Sequence, residues 1–398
     1  MKILMLTPYV PYPPSSGGQI RTFNLLKYLS KKNKITLVCL YKNDEEKKYI
    51  PKLYQYCKKI YPCKRAEKPW QLANILKTIF SIFPFLVIRN FSYEAKKTIN
   101  YILKSKKFDV IHAETFYVMP HLPKTDIPII LVEQTIEYSV YQHFVNNLSF
   151  ILKPFFYFDI IKLKNSERHF WKKANIVGAV SYTDENNIKK LEPNTKTVII
   201  PNGAGDEMIV KNLPKKNLNQ PSLLFQGNFY WLQNIEAANF LIEKIYPKLI
   251  KNYPKIKIII SGQKANKINK KKGIKIINLN LNQSKIVKNI YQKATVFIAP
   301  IFGPGGTRLK ILAAMAAGVP VISTKVGVEG LLVEEGKHIL LANNPDEFVN
   351  KINLLLKNRK LYQTIQKNAY QLIKDKYSWY KIAKKLEKVY LKIIKNRV

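Results

Sequence analysis

Acidic residues are the first shortage in this chain. Its 398 residues include 26 Asp plus Glu against 67 Lys plus Arg, a formal charge of +41. Arginine is the second, since only seven of those 67 cations are Arg. Groove-reading proteins use the arginine fork for bidentate base contacts, so a nucleic-acid partner is the minor reading of this charge. The accompanying abundance of Asn and Ile reads instead as a compositional bias toward Lys, Asn and Ile. A diffuse lysine field suits peripheral contact with an anionic membrane, at about 1 kcal/mol for each Lys near such a surface. Cysteine is nearly missing: Cys39, Cys57 and Cys63 give neither a disulfide framework nor metal-ligand spacing, and a reducing compartment is expected. Long apolar runs are missing too. The stretches 79–88 and 155–161 are broken by Pro84 and Asp159 and fall short of the ~18 residues of a spanning helix. The first residues, MKILMLTPYV, read as a strand without signal-peptide architecture. The expected location is cytoplasmic, with peripheral contact at the inner face of a membrane left open.

What is present is a chain long enough for two domains, with a hydrophobic fraction of 46% that marks it as globular. The stretch Pro300 to Thr324, PIFGPGGTRLKILAAMAAGVPVIST, organises the reading. It is a strand end, a loop containing Gly303, Pro304, Gly305 and Gly306, a helix opening at Thr307, and a second buried strand. Arg308 and Lys310 fall in the first helical turn, where cations oppose the helix dipole. A bound anion would reverse that cost, because glycines allow close approach and the helix end offers unpaired N–H groups. The alternative is an ordinary strand-loop-helix crossover with two solvated cations.

Taken in order, Lys2–Leu6 reads as a strand feeding a proline-rich loop and then Gly17, Gly18 and a helix with Arg21 in its first turn. That order puts the loop at the carboxyl edge of a sheet, where open α/β folds bind ligands. The alternative for the loop is a plain connector with a surface Arg. Lys34–Leu40 is a strand, followed by a charged helical stretch from Asp44 to about Lys59. The aromatic and apolar stretch Trp70–Ile88 has helical spacing; packing against the sheet is preferred to membrane contact. FDVIHAE (108–114) is a buried strand with His112 as a core histidine and Glu114 at its mouth as a candidate functional group. Strands follow at 127–132, 176–180 and 198–201. After a Lys-, Asn- and Pro-rich stretch a second series begins, with strands at 222–225, 255–261, 274–279, 295–299, 319–323 and 339–341, and a turn at Gly227-Asn228. Alternating strands and helices predict parallel sheets in two Rossmann-like domains. The expected limits are 1–205 and 222–378 with a linker at 206–221, and a last helix, 379–398, that returns to the first domain.

PYPPSSGGQIRTFNLL, FDVIHAE, AVSYTDENNI with VIIPNG, QGNFYWLQNIEAANFLI, and the organising stretch through STKVGVEGL occur in the order and spacing of one family. The chain resembles the GT-B glycosyltransferases, specifically the retaining group called family 4. The resemblance implies an α/β GT-B fold whose two domains face a cleft, with the acceptor on the first and a nucleotide-sugar donor on the second. It places Gly17, Gly18 and Arg21 in a loop near donor phosphates and acceptor. It places Gly227, Asn228, Gly305, Gly306, Thr307 and Glu329 at the donor, and Arg308 and Lys310 at its pyrophosphate. Members often have an Arg and a Lys near the turn at Gly227, and this chain has neither. The family's two glutamates would fall at Gly305 and Ala313. The second normally holds the ribose hydroxyls, and losing such a bond weakens binding by roughly 10- to 150-fold. Gln134 and Glu114 stand where many members have His.

The resemblance implies transfer of a sugar to a saccharide or lipid-linked acceptor in polysaccharide or cell-surface glycan synthesis, with retention. Arg308, Lys310 and loop amides would stabilise the leaving diphosphate, with Glu114 orienting the acceptor. No Asp-x-Asp motif occurs, so the metal-dependent route of the other major glycosyltransferase fold is not expected, and neither a cofactor nor a metal site is anticipated. Two alternatives stand beside this: a degenerate scaffold or glycan-binding protein, for which Gly305 and Ala313 argue, and a sugar-nucleotide epimerase using Glu114 with Glu133 or Glu137.

Overall fold

The computed structural model describes residues 1–146, 148, 150, 153–280, 283–303 and 306–396. The chain divides into two compact units, Met1–Pro201 with Ile382–Val398, and Asn202–Lys381. In the first, β1 (Lys2–Thr7), β2 (Lys34–Tyr41), β3 (Lys59–Lys64), β4 (Val110–Glu114), β5 (Ile129–Glu133), β6 (Ile176–Ala179) and β7 (Thr197–Ile199) form one sheet in the order β3-β2-β1-β4-β5-β6-β7. In the second, β8 (Ser222–Gln226), β9 (Lys257–Gly262), β10 (Ile274–Asn278), β11 (Val296–Ala299), β12 (Val321–Ser323) and β13 (Leu340–Leu341) are ordered β10-β9-β8-β11-β12-β13. Every ladder in both sheets is parallel. The central strands are buried on both faces and are correspondingly apolar without alternation, as in ILM of β1 and VFIA of β11.

Each unit has its own core. Leu4, Val38, Ile111, Leu131 and Trp171 anchor the first, and Leu224, Phe225, Phe297, Leu312 and Phe348 the second. The last helix, Trp379–Lys395, begins in the second unit and belongs to the first from Ile382 onward. Its Tyr390 hydroxyl meets His112 Nδ1 at 2.6 Å, and its Glu387 accepts from Asn33 Nδ2 at 2.9 Å.

Three expectations are corrected. The charged helical stretch from Asp44 is a four-residue helix, Asp44–Lys47, and a 3-10 turn, Ile50–Leu53, and its end is the edge strand β3. Pro62 removes a ladder donor and Lys ends the strand on both sides, so it carries little strand signature; an edge position tolerates that. Residues 206–221 are not a free connector. Val210 donates its N–H to the Ala316 carbonyl at 3.2 Å, and the Pro214 carbonyl accepts from Gln366 Nε2 at 3.0 Å, tying the stretch to the second unit. The apolar stripe after Trp70 does not pack on the sheet. Helix Leu72–Phe80 exposes Leu72, Leu76, Ile79 and Phe80, and burial falls instead to Phe85, Leu86 and Val87 of the next helix, Phe85–Asn90.

Candidate active site

In an open parallel sheet, ligands bind beyond the carboxyl ends of the strands where the strand order reverses, because loops diverge there. In the second sheet that point lies between β8 and β11. β8 ends in the turn at Gly227 and Asn228. Beside it Gly262 closes β9 with φ +146°, and a Cβ there would collide with the Gly227 carbonyl. Two backbones therefore touch at the mouth of the sheet, which only glycine permits. Asn234, from helix Leu232–Phe240, braces the turn: its Nδ2 donates to the Asn228 carbonyl at 2.7 Å, and its Oδ1 accepts from Lys310 Nζ. Asn228 itself is engaged locally, donating to Gln263 Oε1 at 3.3 Å and accepting from the Tyr230 N–H at 3.0 Å. Sequence reasoning missed Asn234; its signal is an Asn in the first turn of the helix that follows the Gly227-Asn228 turn.

Beyond β11 the chain reaches Gly303, then Gly306 and Thr307; Pro304 and Gly305 lie outside the described residues. The helix opens at Leu309, not Thr307, and runs to Ala316. Arg308 is thus its N-cap, and the guanidinium folds back on the loop, with Nη1 donating to the Gly306 carbonyl at 3.1 Å and Nη2 to the Gly303 carbonyl at 2.7 Å. The Thr307 hydroxyl is buried and has no hydrogen-bond partner among the described residues. Lys310 lies in the first turn with its ammonium 5.0 Å from the Phe225 ring centre. Burial, helped by Arg308, lowers its pKa to about 7. At the end of β12, Thr324 Oγ1 donates to the Ile301 carbonyl and accepts from the Gly327 N–H at 2.8 Å. This fixes the turn Val326–Val328, after which Glu329 is exposed. The structure therefore brings Gly227, Asn228, Gly306, Thr307, Arg308, Lys310 and Glu329 to the loops of one sheet edge. Ala313 sits one turn further along the same helix, partly buried against the core.

The first sheet reverses between β1 and β4. Helix Gly17–Leu29 begins here, and a Cβ on Gly18 would lie 2.6 Å from the Tyr9 hydroxyl and 2.7 Å from Gln134 Oε1, so the loop closes tightly on the helix. Arg21 and Glu114 correct the expectation that they face a ligand. Both are fully buried, and Arg21 Nε meets Glu114 Oε1 at 3.4 Å while Nη1 donates to the carbonyls of Ile200 and Pro201 at 3.1 and 3.2 Å. Glu114 also accepts from His112 Nε2 at 2.9 Å and from Gln134 Nε2. Burial alone would raise the Glu114 carboxyl, but Arg21, His112 and Gln134 outweigh it and hold it at about 2. A charged pair removed from water needs all these partners, and the pair consequently locks β4, the first helix and the end of β7 together. Neither side chain is placed to orient an acceptor. Glu133 is likewise enclosed, accepting from Trp171 Nε1 at 2.8 Å, and burial pushes its carboxyl up to about 8. Among the described residues no group of three or more His, Cys, Asp or Glu could hold a metal ion.

Two family descriptions match the chain in series: Glycosyltransferase Family 4 over residues 15–207, and Glycosyl transferases group 1 over residues 220–358. The chain belongs to the GT-B glycosyltransferases. A protein of Klebsiella pneumoniae described as an uncharacterized 44.6 kDa protein in the cps region is 26% identical to it over 394 residues, spanning 96% of this chain and 97% of that one. Among solved structures, sucrose-phosphate synthase of Thermosynechococcus elongatus superposes with a TM-score of 0.74 at 14% identity, covering 100% of both chains. The Anabaena protein HepE, solved in complex with UDP and glucose, superposes with a TM-score of 0.67 at 14% identity, covering 98% of this chain and 99% of that one. Both share the GT-B fold of this glycosyltransferase.

Two outcomes follow from the geometry. Lys310 must be protonated to meet a diphosphate, so UDP affinity should weaken by up to about tenfold per pH unit as pH rises above about 7, where the last ionisation of UDP, with a pKa of about 6, is mostly complete. Calorimetry from pH 6.5 to 8.5 reads this, and Lys310→Arg, which stays charged, should flatten the profile. The Glu114 carboxylate is held below its ordinary 4.5, so it contributes stability above that pH that is lost as pH falls toward about 2. Glu114→Gln should melt lower at pH 7, by about 3 to 5 kcal/mol for a broken buried pair, and show less further loss in acid.

Proposed function

We propose that this GT-B glycosyltransferase moves a sugar from a nucleotide-sugar, bound at the second sheet, to a saccharide or lipid-linked acceptor on the first unit, with retention of configuration and without a divalent cation. The observation that carries the donor reading is the sheet edge itself, where backbone approach at Gly227 and Gly262, an unpartnered Thr307 hydroxyl and the cations Arg308 and Lys310 occur together. Oriented cations and loop amides stabilise negative charge as it develops on a leaving diphosphate. That role needs Arg308 to exchange its two loop carbonyls for phosphate oxygens, a swap that favours the stronger, charge-assisted bonds. The solved HepE complex with UDP and glucose supports a uridine nucleotide as the first donor family to try. A peripheral position on an anionic membrane, with the chain in the cytoplasm, fits the exposed apolar side chains of helix Leu72–Phe80; among the described residues no helix is long and apolar enough to cross a membrane.

The competing reading, a GT-B scaffold without turnover, draws on Ala313, where the helix presents no carboxylate toward a ribose. An epimerase would need an accessible acid and base pair of carboxylates, and of Glu114, Glu133 and Glu137 the first two are fully enclosed, which leaves Glu137 without a partner for that chemistry. A panel of nucleotide-sugars, assayed for hydrolysis and transfer with and without EDTA, separates the first two. Release of UDP from one donor, unaffected by EDTA, is the expected result. No turnover with any donor favours the scaffold. Ala313→Glu should raise nucleotide affinity by roughly 10- to 150-fold if it recovers a charged hydrogen bond to the ribose, and a scaffold would gain no turnover from it.

A further inference from the structure

Three cations gather at a part of the first unit that the donor chemistry does not use. Tyr41 and Lys64 end the paired register of β2 and β3, and the Arg65 N–H donates to the Tyr41 carbonyl at 2.9 Å, so Lys42 and Arg65 leave the carboxyl edge side by side. Arg89, on helix Phe85–Asn90, holds its guanidinium 5.9 Å from the Phe85 ring centre. After burial, Arg65 and more weakly Arg89 make Lys42 easier to deprotonate against the pull of Glu46, and burial destabilises the charged form of Arg65, with Glu46 opposing that and Arg89 adding to it. Lys42 has Glu46 at 3.8 Å. Neither guanidinium has a carboxylate of the described residues within ion-pair distance, and the Nε atoms of both are buried with no hydrogen-bond partner. The carboxylates around Arg89 are drawn toward ionisation by it without pairing with it. Glu137 is pushed up to about 7 by burial, and Asp159 accepts from the Phe85 N–H at 2.8 Å.

Buried donors on charged groups are normally paired, and like charges are normally kept apart. Arg21 in the same unit shows how this chain satisfies a buried guanidinium that serves the fold. Arg65 and Arg89 depart from that pattern together and at one place, which is the arrangement of a site that waits for an oxyanion. With Glu46 beside Lys42, two forks and an ammonium leave a net charge of about two, that of a phosphate, whereas a single carboxylate would leave cations over. The neighbouring surface is apolar: Trp70 stacks on Phe85 with ring centres 4.6 Å apart, and Leu76, Ile79 and Phe80 are exposed on the helix that follows Trp70.

We propose that Lys42, Arg65 and Arg89 seat a phosphate group of the acceptor, and that the apolar side chains beside them receive the lipid to which that phosphate is attached. This rests on the glycosyltransferase reading, in which the first unit binds the acceptor. The seat is independent of the donor edge, so the two can be tested apart.

The test is calorimetric titration of the full-length protein, saturated with UDP, with geranyl phosphate, inorganic phosphate and geraniol. Geranyl phosphate should bind, and Arg65→Gln and Arg89→Gln should each weaken it at least about tenfold, the lower bound for one charge-assisted bond, while UDP binding is unchanged. Geraniol should not bind detectably. Weaker but variant-sensitive binding of inorganic phosphate supports the seat and assigns the difference to the apolar surface; equal affinity for the two phosphates overturns the lipid part. Without phosphate, both variants should melt at or above the wild-type temperature, because a mutual repulsion has been removed. Lower melting in both would make the arginines structural and overturn the seat, as would phosphate binding that is absent or insensitive to both substitutions while UDP still binds. Failure of UDP itself to bind would count against the donor reading and not against the seat.

Discussion

All ladders in both sheets are parallel, and this one constraint decides where chemistry can occur. A parallel sheet must return each strand over a face, so its faces are covered by helices and its only free backbone ends are at the strand termini. Carboxyl ends of neighbouring strands then lie on one edge, and they part company where the order reverses, at β1/β4 and at β8/β11. Glycines that touch backbones, helix N-termini and the loop cations all collect there. The placement of Gly18 and Glu114 in one unit, and of Gly227, Thr307 and Lys310 in the other, is a consequence of that topology.

The chain carries far more positive than negative charge, and desolvation sorts the cations into those that serve the fold and those left for ligands. Arg21 is fully enclosed and has Glu114 and two carbonyls for company. Lys310 is desolvated beside an amide oxygen and an aromatic face, and its pKa falls toward neutrality. Arg65 and Arg89 keep donors buried without partners. The first arrangement lowers the free energy of the folded chain as it stands. The other two are tolerated by a folded chain and gain most when an anion arrives, a pattern more common at functional sites than in cores.

The alternation of strands and helices was legible because buried parallel strands are apolar runs, as in IILV of β5 and VFIA of β11. β3 was not, since an edge strand can carry Pro62 and flanking lysines. The donor loop could be read from its glycines and from cations near a helix start, although the helix opens two residues later than Thr307 and makes Arg308 a cap. Arg21 and Glu114 were misread as ligand-facing. Ninety-three residues separate them, and nothing local shows that each is the other's partner. The stripe after Trp70 has the spacing of a packed helix, and periodicity cannot say which surface covers it. Arg65 and Arg89 belong to no motif and stand out in the sequence only because this chain uses arginine seven times.

The account stands or falls on whether the loop before helix Leu309–Ala316 is the diphosphate site of a nucleotide-sugar. Calorimetry of UDP binding to the wild-type protein and to Arg308→Ala measures this most directly. The wild type should bind, and the variant should fold but lose roughly 10- to 150-fold in affinity, the worth of a charge-assisted hydrogen bond. Arg308→Lys should recover part of the loss through its charge. Absence of UDP and every other nucleoside diphosphate from the wild-type site, or binding that Arg308→Ala leaves unchanged, would contradict it.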